Sequence, residues 1–150
     1  MANWTTRFRG VMDVFEEAKQ AGKIRAHGVT CHSFGALEAA YASDWVQINQ
    51  VRWNQKRSHM DADVDKAREL FQKMRDKGQG MIGMKVLGEG NLVKGAQPLT
   101  PEECFRFQIE SGVVDAFVVG LEKAEHVDQL LRGTQLALDE VGYRLASRQI

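Results

Sequence analysis

Lys85 carries the sharpest chemical possibility in the sequence. It ends an apolar run in GMIGMKVLGEGNLV, residues 80–93, and Gly88, Glu89 and Gly90 follow within five positions. A lysine at a strand end can serve as an amine nucleophile when its ammonium is destabilised, or hold an anion by simple charge. The nearby glycines favour the second role, because backbone without side chains approaches phosphate closely. This G-x-G lacks the third glycine and the strand–helix turn of a dinucleotide fingerprint, so it reads as a loop.

The stretch KIRAHGVTCHS, residues 23–33, gathers Thr30, Cys31 and two histidines. His27 and His32 lack a third ligand at usable spacing, so they read as turn histidines rather than a metal pair. Cys31 has no basic cluster around it to generate a thiolate. Tyr41 and Tyr143 sit in helical patterns without a local Lys or Asp partner. Trp45 and Trp53 read as core and rim packing. No catalytic residue and no metal ligand is assigned.

These groups need elements to position them. Val11, Val14, Phe15 and Ala18 recur at helical spacing over residues 11–21, with Gly22 as the stop. Residues 24–30 predict a strand, Ser33 a cap for the helix FGALEAAYA, and residues 45–53 a second strand. Residues 56–66 mix charges and predict a solvated helix start. Asp61 or Asp63 then caps a helix with the stripe Val64, Ala67, Leu70, Phe71 and Met74, stopped by Gly78. Residues 80–88 predict a third strand. Thr100, Pro101 and Glu103 make a capping box opening another helix. Residues 114–120 predict a fourth strand, and 123–148 a helix with a break expected at Gly133. Strands alternating with helices imply an α/β fold with a parallel sheet and right-handed crossovers. At 150 residues, a small doubly wound sheet or half of a (β/α)8 barrel fits, since a full barrel needs about 250.

Composition narrows the function classes. Twenty basic residues balance twenty acidic ones, which argues against a dedicated nucleic-acid or anionic-membrane binder. No apolar run approaches the roughly 20 residues a membrane-crossing helix needs. The first residues, MANWTTRFRG, lack the apolar region of a signal peptide. Two distant cysteines, Cys31 and Cys104, fit a reducing cytoplasmic setting.

Four segments then resemble the aldo/keto reductase family, in the right order. EEAKQAGKIRAHGVTCHS resembles the family's helix, GKI turn and following strand; VQINQVRWN resembles the next strand. GMIGMKVLGEGNL is similar to the strand and phosphate loop, and FVVGLEKAEHVDQLL to the last strand and helix start. Together they place residues 1–150 as one domain matching the C-terminal half of the barrel, strands five to eight.

The resemblance implies a nicotinamide cofactor, NADP or NAD. By position, Thr30 and Cys31 match the pair that contacts the carboxamide, and Asn49 and Gln50 match the pair whose Gln reaches the nicotinamide. Met84 stands where many members stack a Tyr on the ring; a thioether packs there without an aromatic face. Lys85, Gly88 and Gly90 match the pyrophosphate loop. Gly120, Leu121, His126 and Leu130 fall where members hold a 2′-phosphate, and only Lys123 and His126 offer charge, far less than a guanidinium fork. The family's Tyr, Lys, Asp and His, which protonate and polarise the carbonyl, belong to the other half, and no segment here matches them. The resemblance thus implies a chain inactive on its own. Open sheet edges predict a homodimer or higher oligomer. A non-catalytic assembly protein without cofactor is the alternative reading.

Overall fold

The computed structural model describes residues 4–147. Two helices, α1 (Trp4–Arg7) and α2 (Arg9–Gln20), precede strand β1 (Gly28–Thr30). Then follow α3 (Phe34–Ala42), β2 (Ile48–Arg52), α4 (Val64–Asp76) and β3 (Gly80–Met84). A 3-10 turn (Gly88–Gly90) runs into α5 (Asn91–Lys94), and α6 (Pro101–Ser111), β4 (Ala116–Phe117) and α7 (Ala124–Ser147) complete the chain. The strands form one sheet in the order β1-β2-β3-β4, every pair parallel. Each crossover passes through a helix, as in one sector of a (β/α)8 barrel.

Local chemistry accounts for the boundaries. Ser33 accepts a hydrogen bond from the Ala36 amide at the start of α3. Thr100 and Glu103 close a reciprocal capping box on α6. Gly22 and Gly78, at φ +70° and +87°, end α2 and α4 in the left-handed region that glycine enters without strain. Asp63 precedes α4 without a capping hydrogen bond from its side chain.

The core lies between sheet and helices. Side chains alternate along β2, so Asn49 and Val51 point to the helices while Ile48, Gln50 and Arg52 line the concave face. Trp53 follows β2 and is fully buried against Phe71 of α4 and Phe107 of α6. The α4 stripe packs as its spacing predicts, with Ala67, Leu70, Phe71 and Met74 buried.

Four expectations are corrected. All strands are shorter than their apolar runs. β1 begins at Gly28 rather than residue 24, β2 spans five residues, β3 ends at Met84, and β4 pairs only Ala116 and Phe117. Flanking residues such as Val46, Trp53 and Val86 are buried, and a few, Trp53 and Val118 among them, extend the pairing by single backbone hydrogen bonds. Residues 88–94 are not plain loop but a helical turn and a short helix. α7 runs through Gly133 unbroken; a Cβ there would lie 3.0 Å from Phe105 and Glu102, so this glycine lets α7 approach α6. The stripe of α2 faces outward: Met12 is buried, whereas Val11 and Val14 are 53% and 62% exposed. Periodicity reveals an apolar face but not whether a neighbour covers it. Val127 and Leu131 leave a matching bare apolar surface on α7. In chain order α2 precedes the outer strand β1 and α7 follows the outer strand β4.

Candidate functional site

The C-terminal ends of β2, β3 and β4 open into a cavity of about 780 Å³. That size falls within the range of small-molecule sites. Gln50 reaches it from β2, and its Oε1 accepts a hydrogen bond from the Thr30 hydroxyl at 3.1 Å. Met84 closes β3 and lines the cavity, followed by Lys85 in a left-handed turn at φ +57°. Phe105, Val118 and Leu121 supply apolar wall, while Gly120 and His126 border the far side.

The loop after β3 is held from beneath. The Asn54 amide donates to the carbonyls of Ser58 at 2.8 Å and Lys85 at 3.1 Å, and its Oδ1 accepts from the Ser58 amide at 2.9 Å. Ser58 Oγ donates to the Gly88 carbonyl at 3.3 Å. Arg52 Nε donates to Asp61 Oδ2 at 3.1 Å and its Nη2 pairs with Oδ1, pinning the segment after β2. Gly88 is buried at φ +56°; any Cβ would collide with Leu92 and Ser58. The next residue, Glu89, is also left-handed at φ +57°, and its carboxylate pairs with Lys85 Nζ and lies 3.5 Å from His59 Nε2. The Lys85 hydrogen bond and charge, then the His59 charge, hold the Glu89 carboxyl below its ordinary range.

The structure sorts the residues named from sequence. Gln50, Met84, Lys85, Gly90, Gly120 and His126 meet at one cavity. Thr30 supports Gln50 from outside the lining, and Gly88 lies under the loop. Lys123 is exposed and outside the lining. Two residues face the other way. Asn49 is fully buried on the helix side, where its amide donates to Gln79 Oε1 at 3.0 Å. Cys31 is buried too, its thiol donating to the Ala36 carbonyl at 3.5 Å. The strand period of two sends Asn49 and Cys31 behind the sheet when Gln50 and Thr30 lie in front. His27 is buried, stacked on Trp45 with centroids 4.2 Å apart and 3.0 Å from Glu16 Oε1. Among the described residues no cluster of His, Cys, Asp and Glu could hold a metal.

Burial pushes both free thiols up to about 11, Cys31 and Cys104 alike. Unfolded thiols lose their protons near the ordinary value of 9.0, while folded ones keep them. Between these values the unfolded chain binds fewer protons, so stability falls as pH rises from 9 to 11. Urea midpoints measured across that interval should decline, and less steeply in C31A/C104A.

Glu89, Lys94, Phe105 and Glu122 also line the cavity but were not singled out from sequence. Glu89 stood inside the quoted glycine loop, and its opposite charge four residues from Lys85 was the available signal. Phe105 comes from α6, and only the fold brings that helix to the β3 and β4 ends.

Comparison with known proteins agrees with the fold. The chain matches the aldo/keto reductase family over residues 3–103. Its structure resembles that of an aldo-keto reductase from Bacillus halodurans in holo form, with a TM-score of 0.62 at 14% identity. The alignment covers 82% of this chain and 49% of that one, so the chain spans about half the length of the structure it matches. No curated protein sequence gives a significant match. With two thirds of its length matched and four parallel strands in barrel order, this chain belongs to the aldo/keto reductase family.

Proposed function

We propose that the chain supplies the cofactor-holding part of an aldo/keto reductase barrel, with NADH favoured over NADPH and no proton donor of its own at the reacting atoms. The observation that carries this is the convergence of Gln50, Met84 and Lys85 on one cavity at the strand ends. The residues present fit the group. Gln50, oriented by Thr30, offers an amide to a carboxamide. Met84 and Phe105 offer apolar wall to a flat ring, and Lys85 and Lys94 offer charge to a diphosphate. A reduced nicotinamide supplies hydride when bound. Among the described residues no arginine lines the cavity, which leaves a 2′-phosphate without a bidentate partner there. Tyr41 lies on α3 beneath the Lys77 ammonium, outside the cavity lining. In this reading carbonyl reduction draws its proton donor from the other half of a complete barrel.

Calorimetric titration tests the reading. NADH should bind more tightly than NADPH, and Q50A should weaken NADH binding about tenfold, the loss of one well-placed hydrogen bond. No heat with either nucleotide at millimolar concentration would sink it.

The bare faces of α2 and α7 favour an assembled state. Val14 and Leu131, each 62% exposed, lie on the helices that precede β1 and follow β4, the two outer strands of the sheet. Two copies related by a two-fold axis would set α7 of each against α2 of the other. Sedimentation at micromolar concentration should show a dimer that V14D/L131D dissociates; a monomeric unmodified chain would refute it. Both cysteines being free fits a cytoplasmic site for this assembly. Among the described residues no helix is long and apolar enough to cross a membrane.

A further inference from the structure

Glu89 occupies an unusual place for an acid. It sits between Gly88 and Gly90 on the wall of the cavity, in a left-handed backbone conformation that few side-chain-bearing residues adopt. Lys85 shares that conformation four residues earlier, and the two side chains pair across the turn. His59, on the segment after β2 and also left-handed at φ +56°, brings Nε2 to 3.5 Å from the same carboxylate. The Lys94 side chain runs beside Gly90. Lys85 and Lys94 thus bring two cations to one stretch of cavity wall, with His59 outside the lining, and the anion paired with Lys85 belongs to the protein.

We infer that Glu89 is a built-in competitor for the anion seat formed by Lys85 and Lys94, so that a diphosphate enters only by displacing its carboxylate. This rests on the reading that the cavity takes a nicotinamide dinucleotide. The Glu89 side chain is half exposed, and its pairing with Lys85 is of the exposed kind that contributes little to stability. A ligand with several negative charges can therefore displace it. Until it is displaced, the carboxylate neutralises Lys85 and repels the incoming phosphates. Glu89 sets how tightly the site holds its ligand without touching the part of the cofactor that reacts.

Inorganic pyrophosphate is the probe, titrated calorimetrically into the full chain at low salt. E89Q should bind it about fivefold more tightly than the unmodified chain, the factor corresponding to one exposed ion pair. E89N, whose side chain tolerates the left-handed backbone, should show the same gain, and circular dichroism confirms that both variants fold. In K85Q/E89Q the gain should vanish. Equal or weaker binding by E89Q and E89N, or no binding by any variant, overturns the inference. NADH titrated in parallel separates the two readings. Tighter pyrophosphate with no NADH binding upholds the seat and removes the dinucleotide. Equal NADH binding by the unmodified chain and E89Q removes the competitor and keeps the dinucleotide.

Discussion

Replacing Trp53 by alanine should lower the unfolding free energy by about 3–5 kcal/mol, the cost of removing a large aromatic side chain from a packed interior. The ring is fully buried, 5.5 Å from the Phe71 ring and 5.0 Å from the Phe107 ring by centroid. Its Nε1 donates to Ser111 Oγ at 3.1 Å, and the Arg68 guanidinium lies 5.3 Å above it. The backbone of the same residue is equally engaged. Its amide donates to the Met84 carbonyl and its own carbonyl accepts from the Gln108 amide at 2.8 Å. One residue thus joins β2, β3, α4 and α6. The W53F variant keeps much of the aromatic packing and loses the indole hydrogen bond, so it should lose roughly 1–2 kcal/mol. Urea denaturation checks both. Equal losses in the two variants would show that packing is not what Trp53 contributes.

The second large effect belongs to Gln79, just before β3. Its Nε2 donates to the carbonyls of Ala40 and Val46, each at 3.1 Å, and its Oε1 accepts from the Asn49 amide at 3.0 Å. All of this lies in the buried layer between the sheet and α3. Leucine at this position should cost about 3–5 kcal/mol, since each buried polar group left without a partner costs about 1–3. The double variant N49L/Q79L should recover part of that loss, because one of the stranded groups is gone. Full additivity of the two substitutions in denaturant midpoints would contradict the direct coupling.

Much of the fold was legible in the sequence because its signals are local. Ser33, the capping box at Thr100 and Glu103, and the glycines at 22 and 78 mark helix ends through their own backbone chemistry. The α4 stripe is legible because one face of that helix meets one neighbour. The failures share a cause: they depend on what lies across a gap in sequence. The α2 stripe reads as core, yet nothing among the described residues covers Val11 or Val14. Asn49 and Gln50 read as a pair, yet a strand sends adjacent side chains to opposite faces, and only the sheet decides which face is the cavity. Cys31 follows the same parity and ends as packing. Gln79 reads as one polar residue in a turn because its partners lie 30 to 39 positions away.

The parallel order of the four strands has a directional consequence. A parallel sheet has two unlike margins, here β1 with Thr30 and β4 with Ala116, and the row between them runs hydroxyl, amide, isoleucine, methyl. A second copy that extends the sheet at one rim while preserving both strand direction and the cavity-bearing face must present the opposite rim. Like rims joined by a two-fold axis perpendicular to the sheet would reverse the chain direction at the seam. Head-to-tail succession preserves it at every junction, so the sheet carries a polarity like that of a hook-and-eye fastening.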